Sequence, residues 1–327
     1  MKTVDTDVEI IKTFKSSASA TTRLLKSGQE LFVRKTFPKN LINKMLFQYR
    51  WYSEFEHLPF IPKLIKSDSY ASKNFYDMEY ISDSVTFSDY CRTGEQKKCE
   101  HILNQILDVV SEKIHGPGRN IYEDPKALEN YIQSKLIEKI NMTRAKSKAI
   151  ESLLSADEIE INGEVFLNFD KIKTDVFNNT KLMKSLSVLS DNPLHGDLTL
   201  ENVLVTENRF YIIDPNNENL PTVLVDYSKI LQSLDCKYEI YLIEPDSQVT
   251  KNSICYPQLE PTNYSNLLKL FSKRISTEFD EEFSHNLQFH VAIQLARLLP
   301  YLVEINHPAQ IIFYAELIKN LNRFARK

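Results

Sequence analysis

Leu194-His195-Gly196-Asp197-Leu198-Thr199-Leu200-Glu201-Asn202, followed by Tyr211-Ile212-Ile213-Asp214-Pro215, is the stretch on which the fold turns. Asp197 stands five positions ahead of Asn202, and a second aspartate closes an apolar run. A carboxylate can take the proton of an attacking hydroxyl. A neutral amide oxygen and an anionic carboxylate are hard donors that suit Mg2+. Residues 203–205 and 210–213 read as two short apolar strands around a polar turn, with Asp214 ending the second. His195 reads as a scaffold residue that hydrogen-bonds the loop backbone rather than as an acid-base group.

Composition narrows the setting. At 327 residues, 42% of them hydrophobic, the chain can bury a large core, as two lobes rather than one. A net charge of −4 leaves no electrostatic footprint for nucleic acid, so no nucleic-acid partner is expected. Cys91, Cys99, Cys236 and Cys255 form no C-x-x-C pair and lack the histidine spacing of a zinc site, which predicts free thiols in a reducing compartment. Residues 1–15 lack the apolar core of a signal peptide, and no apolar run approaches the roughly 20 residues of a membrane span. A cytoplasmic protein without a membrane span is the expectation.

Outward from the stretch, the order of elements becomes legible. Residues 8–14 and 31–37 read as strands, with Leu24-Leu25 opening another before Ser27-Gly28. Pro38-Lys39-Asn40 then opens a helix with Leu41, Met45, Gln48 and Tyr52 on one side, and Pro59 and Pro62 end it. Leu64-Ile65 and residues 75–80 fit two more strands. From about Val85 the pattern turns helical. Apolar stripes predict helices over residues 99–114 and 125–140, and a third apolar helix runs over residues 289–302 until Pro300. Asn162-Gly163 predicts a tight hairpin within residues 159–167. Asp226 suits the N-cap of a helix carrying Ile230, Leu231 and Leu234. The fold class is α+β and bilobal: a small β-rich N-terminal lobe over residues 1–80 and a larger, mainly helical lobe over residues 81–327.

With His195-Gly196-Asp197, Asn202 and Ile213-Asp214 in this order, the chain resembles the aminoglycoside phosphotransferase and choline kinase family of small-molecule kinases. Protein kinases generally carry arginine where Gly196 stands. The resemblance implies a protein-kinase-like fold, ATP or GTP as donor, Mg2+, and transfer of the γ-phosphoryl group to a hydroxyl of a small molecule such as a sugar, amino alcohol or polysaccharide precursor. Asp197 then matches the residue that orients the hydroxyl, and Asn202 and Asp214 match the Mg2+ ligands. Lys35 matches the strand lysine that binds the α and β phosphates. Strand alternation puts Val33 and Lys35 on one face and Arg34 on the other. Gln48 stands where a glutamate usually partners that lysine. Met78, Glu79, Tyr80 and Ile81 resemble the hinge whose backbone reads the purine edge, and Ser16, Ser17 and Ser19 occupy the place of the phosphate-covering loop. Asp226 matches an acid that braces the catalytic loop.

The chain departs from the pattern at several points. The covering loop has no glycine, Pro215-Asn216 replaces Phe-Gly after Asp214, and Thr199 replaces the basic residue often found two positions after the catalytic aspartate. The γ-phosphate charge must then be met elsewhere. Gln48 and the glycine-free loop keep a pseudokinase-like binding module in view, and an atypical protein kinase is a further alternative. Tyr227, Tyr238, Glu239 and Tyr241 are candidates for an acceptor pocket. Arg297, set among leucines, requires a partner. Acceptor identity and oligomeric state are left open by the sequence.

Overall fold

The computed structural model describes residues 8–14, 20–65, 74–116 and 120–326. The chain divides into two units, one of Met1–Phe87 with Glu201–Asn217, the other of Ser88–Leu200 with Glu218–Lys327. In the first, strands β1 (Val8–Thr13), β2 (Thr21–Ser27), β3 (Glu30–Thr36), β4 (Leu64–Ile65) and β5 (Phe75–Glu79) form an antiparallel sheet in the order β1-β2-β3-β5-β4. Ser27 pairs with Glu30, so Gly28 and Gln29 alone turn the chain between β2 and β3. Gly28 sits at φ +61°, a left-handed value that costs glycine little at the first position of a tight hairpin.

On β3 the expected alternation holds, with Val33 and Lys35 buried on one face. Arg34 turns to the other face and forks onto Asp77 of β5 at 2.7 and 2.8 Å. Helix α1 (Ile42–Phe55) buries Met45, Gln48, Tyr49, Trp51, Tyr52 and Phe55, a stripe dominated by aromatic rings. Strand β6 (Val85–Thr86) joins the hairpin of Val203–Val205 and Phe210–Ile212 in a second, smaller sheet of the same unit.

The second unit is mainly helical. The Leu224–Leu234 helix has all eleven residues buried, so its polar side chains must find partners inside the protein. The Glu281–Glu304 helix continues through Pro300, beyond the stop expected there. Its inward face, including Leu295, Leu299 and Leu302, is buried. Core packing here outweighs the one backbone bond that proline removes.

Two helices are also longer and less regular than the stripes suggest. Gln96–Val109 passes into a wide π turn over Val110–His115, and Pro125–Ile132 continues through a second π turn, Gln133–Ile137, into Glu138–Lys146. Asp124 caps the start of the latter by accepting the Ala127 amide at 2.8 Å. The hairpin at Asn162-Gly163 forms as expected, with φ values of +49° and +86°. No described helix is long and apolar enough to cross a membrane.

Candidate active site

In the first unit, chemistry gathers around Asp214. Val203 pairs with Ile212, and the Ile213 amide donates to the Asn202 carbonyl at 2.9 Å. This register sets Asn202 opposite Ile213 and leaves Asp214 one step further along, so two oxygen-bearing side chains share one end of the hairpin. Asp214 has a left-handed φ of +63°. Its amide donates to the Tyr52 hydroxyl at 2.9 Å, which anchors the turn to α1. Tyr52 is fully buried, and burial, then the charge of Asp214, raises its pKa well above the ordinary phenol value. It therefore stays protonated and neutral.

Lys35 reaches Asp214 from β3, its Nζ 2.5 Å from Oδ1. The lysine is 7% exposed, so the ion pair is what makes burial of its ammonium tolerable. Gln48 does not meet Lys35. Its side-chain amide donates to the Pro215 carbonyl at 2.7 Å, and its oxygen accepts the Tyr76 hydroxyl at 2.9 Å. The glutamine thus fixes the chain just after Asp214, while Asp214 itself supplies the charge opposite Lys35. Of the hinge residues, Met78 and Glu79 lie on β5, and Tyr80 and Ile81 follow it. The Glu79 amide already donates to the Lys63 carbonyl at 2.8 Å, and the Ile81 carbonyl accepts Ser84 at 2.8 Å. Ser16, Ser17 and Ser19 lie outside the described residues.

In the second unit, the loop around Asp197 is held by one helix. Asp226 is not an N-cap; it lies inside the Leu224–Leu234 helix, which starts two residues earlier. Its carboxylate accepts the amides of His195 at 2.9 Å and Gly196 at 2.5 Å and meets His115 Nε2 at 2.9 Å. Burial pushes the Asp226 pKa up, but the His115 hydrogen bond, the charges of the two histidines and the backbone amide hold it below the ordinary carboxylate range. One turn on, Lys229 places its ammonium 2.9 Å from Asp197 Oδ1. A turn further, Ser233 accepts the Leu200 amide at 3.0 Å. Asp226, Lys229 and Ser233, spaced i, i+3 and i+7, therefore follow the loop along its length.

Asp197 keeps about a third of its side chain exposed. Burial of the rest raises its pKa, yet Lys229 first, and then His195 and Arg297, bring it below the ordinary value. The carboxylate is ionised at neutral pH. His195 accepts the Asp197 amide on Nδ1 at 3.3 Å, the scaffold part expected of it. Gly196, at φ +78°, has its carbonyl held by Asn219 at 2.7 Å. Arg297 finds its partners in Asn219, Gln294 at 2.9 Å and Glu218 at 3.5 Å.

Lys229, Ser233, His115 and Asn219 are not among the residues that the catalytic spacing points to. The signal for the first two was a polar stripe within an otherwise apolar helix. His115 and Asn219 left none. Tyr227, Glu239 and Tyr241, candidates for an acceptor pocket, are instead buried: Tyr227 packs edge-on against His115 and Phe283, Glu239 accepts Ser233 at 2.6 Å, and Tyr241 donates to the Pro257 carbonyl.

No protein-family model matches the sequence, and no curated protein sequence matches it. Solved structures do. Choline kinase LicA from Streptococcus pneumoniae superposes with a TM-score of 0.53 at 14% identity, covering 97% of this chain and 93% of that one. The streptomycin-ATP ternary complex of APH(2")-IIa gives 0.52 at 16% identity over 97% and 93%. A thermostable mutant of the aminoglycoside phosphotransferase APH(4)-Ia, in ternary complex with AMP-PNP and hygromycin B, gives 0.57 at 10% identity over 98% and 95%. Likeness along almost the whole of each chain establishes the architecture: this protein has the protein-kinase-like fold of the small-molecule kinases.

Proposed function

We propose that the chain transfers the γ-phosphoryl group of ATP or GTP to a hydroxyl of a small molecule. The observation that carries this reading is the end of the hairpin, where Asn202 lies opposite Ile213 and the buried ammonium of Lys35 stands 2.5 Å from the Asp214 carboxylate. An amide oxygen and a carboxylate are a donor set that fits Mg2+, which proteins usually hold through one or two oxygens while phosphates and water complete the shell. Mg2+ held by Asn202 and Asp214 would offset charge on the donor's phosphate oxygens.

The chain's own residues do the rest. Lys35 carries the positive charge for the α and β phosphates, and the backbone of Met78 to Ile81 is proposed to read the purine. Asp197 accepts the acceptor's hydroxyl proton on a carboxylate oxygen as the new O–P bond forms and the β–γ bridge bond breaks, giving a phosphate ester and a nucleoside diphosphate. A carboxylate kept ionised by Lys229 is a weak base, which suits a loose transition state in which the proton leaves late and orientation matters most. The neighbours' ligands, choline by name and aminoglycosides in complexes, make amino alcohols and amino sugars the first acceptors to try.

Melting with Mg·ATP tests nucleotide binding: at a hundred times the Kd the linkage relation expects about 2.7 kcal/mol of stabilisation. A panel of hydroxyl compounds is then scanned for acceptor-dependent ADP release. Asp197→Ala is expected to abolish that release and to leave the Mg·ATP shift in place. Nucleotide binding with no turnover on any acceptor would favour the non-catalytic binding module.

A further inference from the structure

Residues 195–202 contain no lysine or arginine. Position 199, two after Asp197, holds a threonine whose buried hydroxyl has no hydrogen-bond partner. Charge that builds up on a transferring phosphoryl group is stabilised by fixed cations and dipoles already in place. The loop thus carries no lysine or arginine where such chemistry calls for a fixed cation. The Asp197 carboxylate is held below its ordinary pKa by Lys229 from the Leu224–Leu234 helix, and then by His195 from its own loop and Arg297 from the Glu281–Glu304 helix. Lys229 is in direct contact, at 2.9 Å, and is 7% exposed.

Its placement is overdetermined. The same helix face carries Asp226 on the loop's first amides and Ser233 on the Leu200 amide, so Lys229 has little freedom along the loop. An ammonium buried this far is tolerated only against a counter-charge, and Asp197 is that counter-charge. We propose that Lys229 is a positioning residue for phosphoryl transfer: from outside the loop it fixes the Asp197 carboxylate and supplies the positive charge that Thr199 cannot. The inference rests on the phosphotransferase reading given above.

The test uses the full chain with Mg·ATP and water as acceptor, following slow ADP release, together with calorimetric binding of Mg·ATP. Lys229→Met is expected to lower kcat on the order of a hundredfold, the cost of removing one preorganised charge-stabilising group, with KM and Kd for Mg·ATP unchanged. Lys229→Arg should recover part of the loss. The acid limb of the kcat profile should move to higher pH in Lys229→Met, because Asp197 becomes a stronger base without its cation. In the Asp197→Asn background, Lys229→Met should add little further loss.

Full kcat in Lys229→Met would overturn the proposal. So would losses that simply add in the double variant, or a slowed variant with an unmoved acid limb and no recovery by arginine, since both describe a purely structural pair. Wild-type protein that neither binds Mg·ATP nor releases ADP would instead overturn the phosphotransferase reading, and this inference with it. If Lys229→Met does not fold, Lys229→Gln carries the same comparison.

Discussion

Asp226 shows how much one buried side chain can be asked to do. It has no exposed surface, yet it satisfies two backbone amides and a histidine at once. Replacing it by alanine leaves all three donors without their acceptor. Breaking such a buried cluster costs about 3–5 kcal/mol, so Asp226→Ala is expected to lower the urea midpoint strongly while ADP release disappears. The acid itself was visible in the sequence, and so was its bracing task by resemblance. Its place within the helix was not, because a carboxylate just ahead of an apolar run reads equally well as a cap. Lys229 was hidden for a related reason: a lysine among leucines gives no sign of which chain segment it will face.

At the scale of elements, local rules succeeded where local forces decide. Asn162-Gly163 turns its hairpin as expected because both residues tolerate positive φ. A Cβ added at Gly163 would have nothing within 4 Å, so Gly163→Ala meets strain alone and no clash. The expected cost is about 1–2 kcal/mol, read as a lower denaturant midpoint at unchanged slope. The apolar stripes within residues 99–114 and 125–140 are buried as their spacing expects, but local rules do not reach what tertiary packing decides. The Glu281–Glu304 helix continues past Pro300 under burial on its inner face, and two π turns interrupt the helices that carry those stripes. The first of these turns ends at His115, the residue that meets Asp226. Such wide turns often mark functional ground, and no residue type announces them.

Across the whole molecule, pH provides a reading of burial. His290 is fully buried, both ring nitrogens lack hydrogen-bond partners, and burial lowers its pKa from 6.5 to about 4. In the unfolded chain it takes up a proton near pH 6.5; in the folded chain it does so only near 4. Stability therefore falls as pH drops through that window, by about 3 kcal/mol for this group. Urea melts at pH 7 and pH 5 should show the loss, and His290→Leu should remove it. Asp226, with its depressed pKa, contributes stability that is fully present above about pH 3.9 and lost as pH falls through its lower folded value. The two acid losses are thus separated along the pH axis. The order of elements in the first 80 residues and the spacing of Asp197, Asn202 and Asp214 were readable in the sequence; the long-range partners were not, since they come together only through folding.

The stripe of Asp226, Lys229 and Ser233 also has a meaning in time. A chain growing on a ribosome presents Asp197 before it presents the helix that holds its loop. At that moment every residue of the loop exists, and the side chains that accept the amides of His195, Gly196 and Leu200 do not. Until that helix emerges, those three amides have none of the acceptors that fix them in the folded chain.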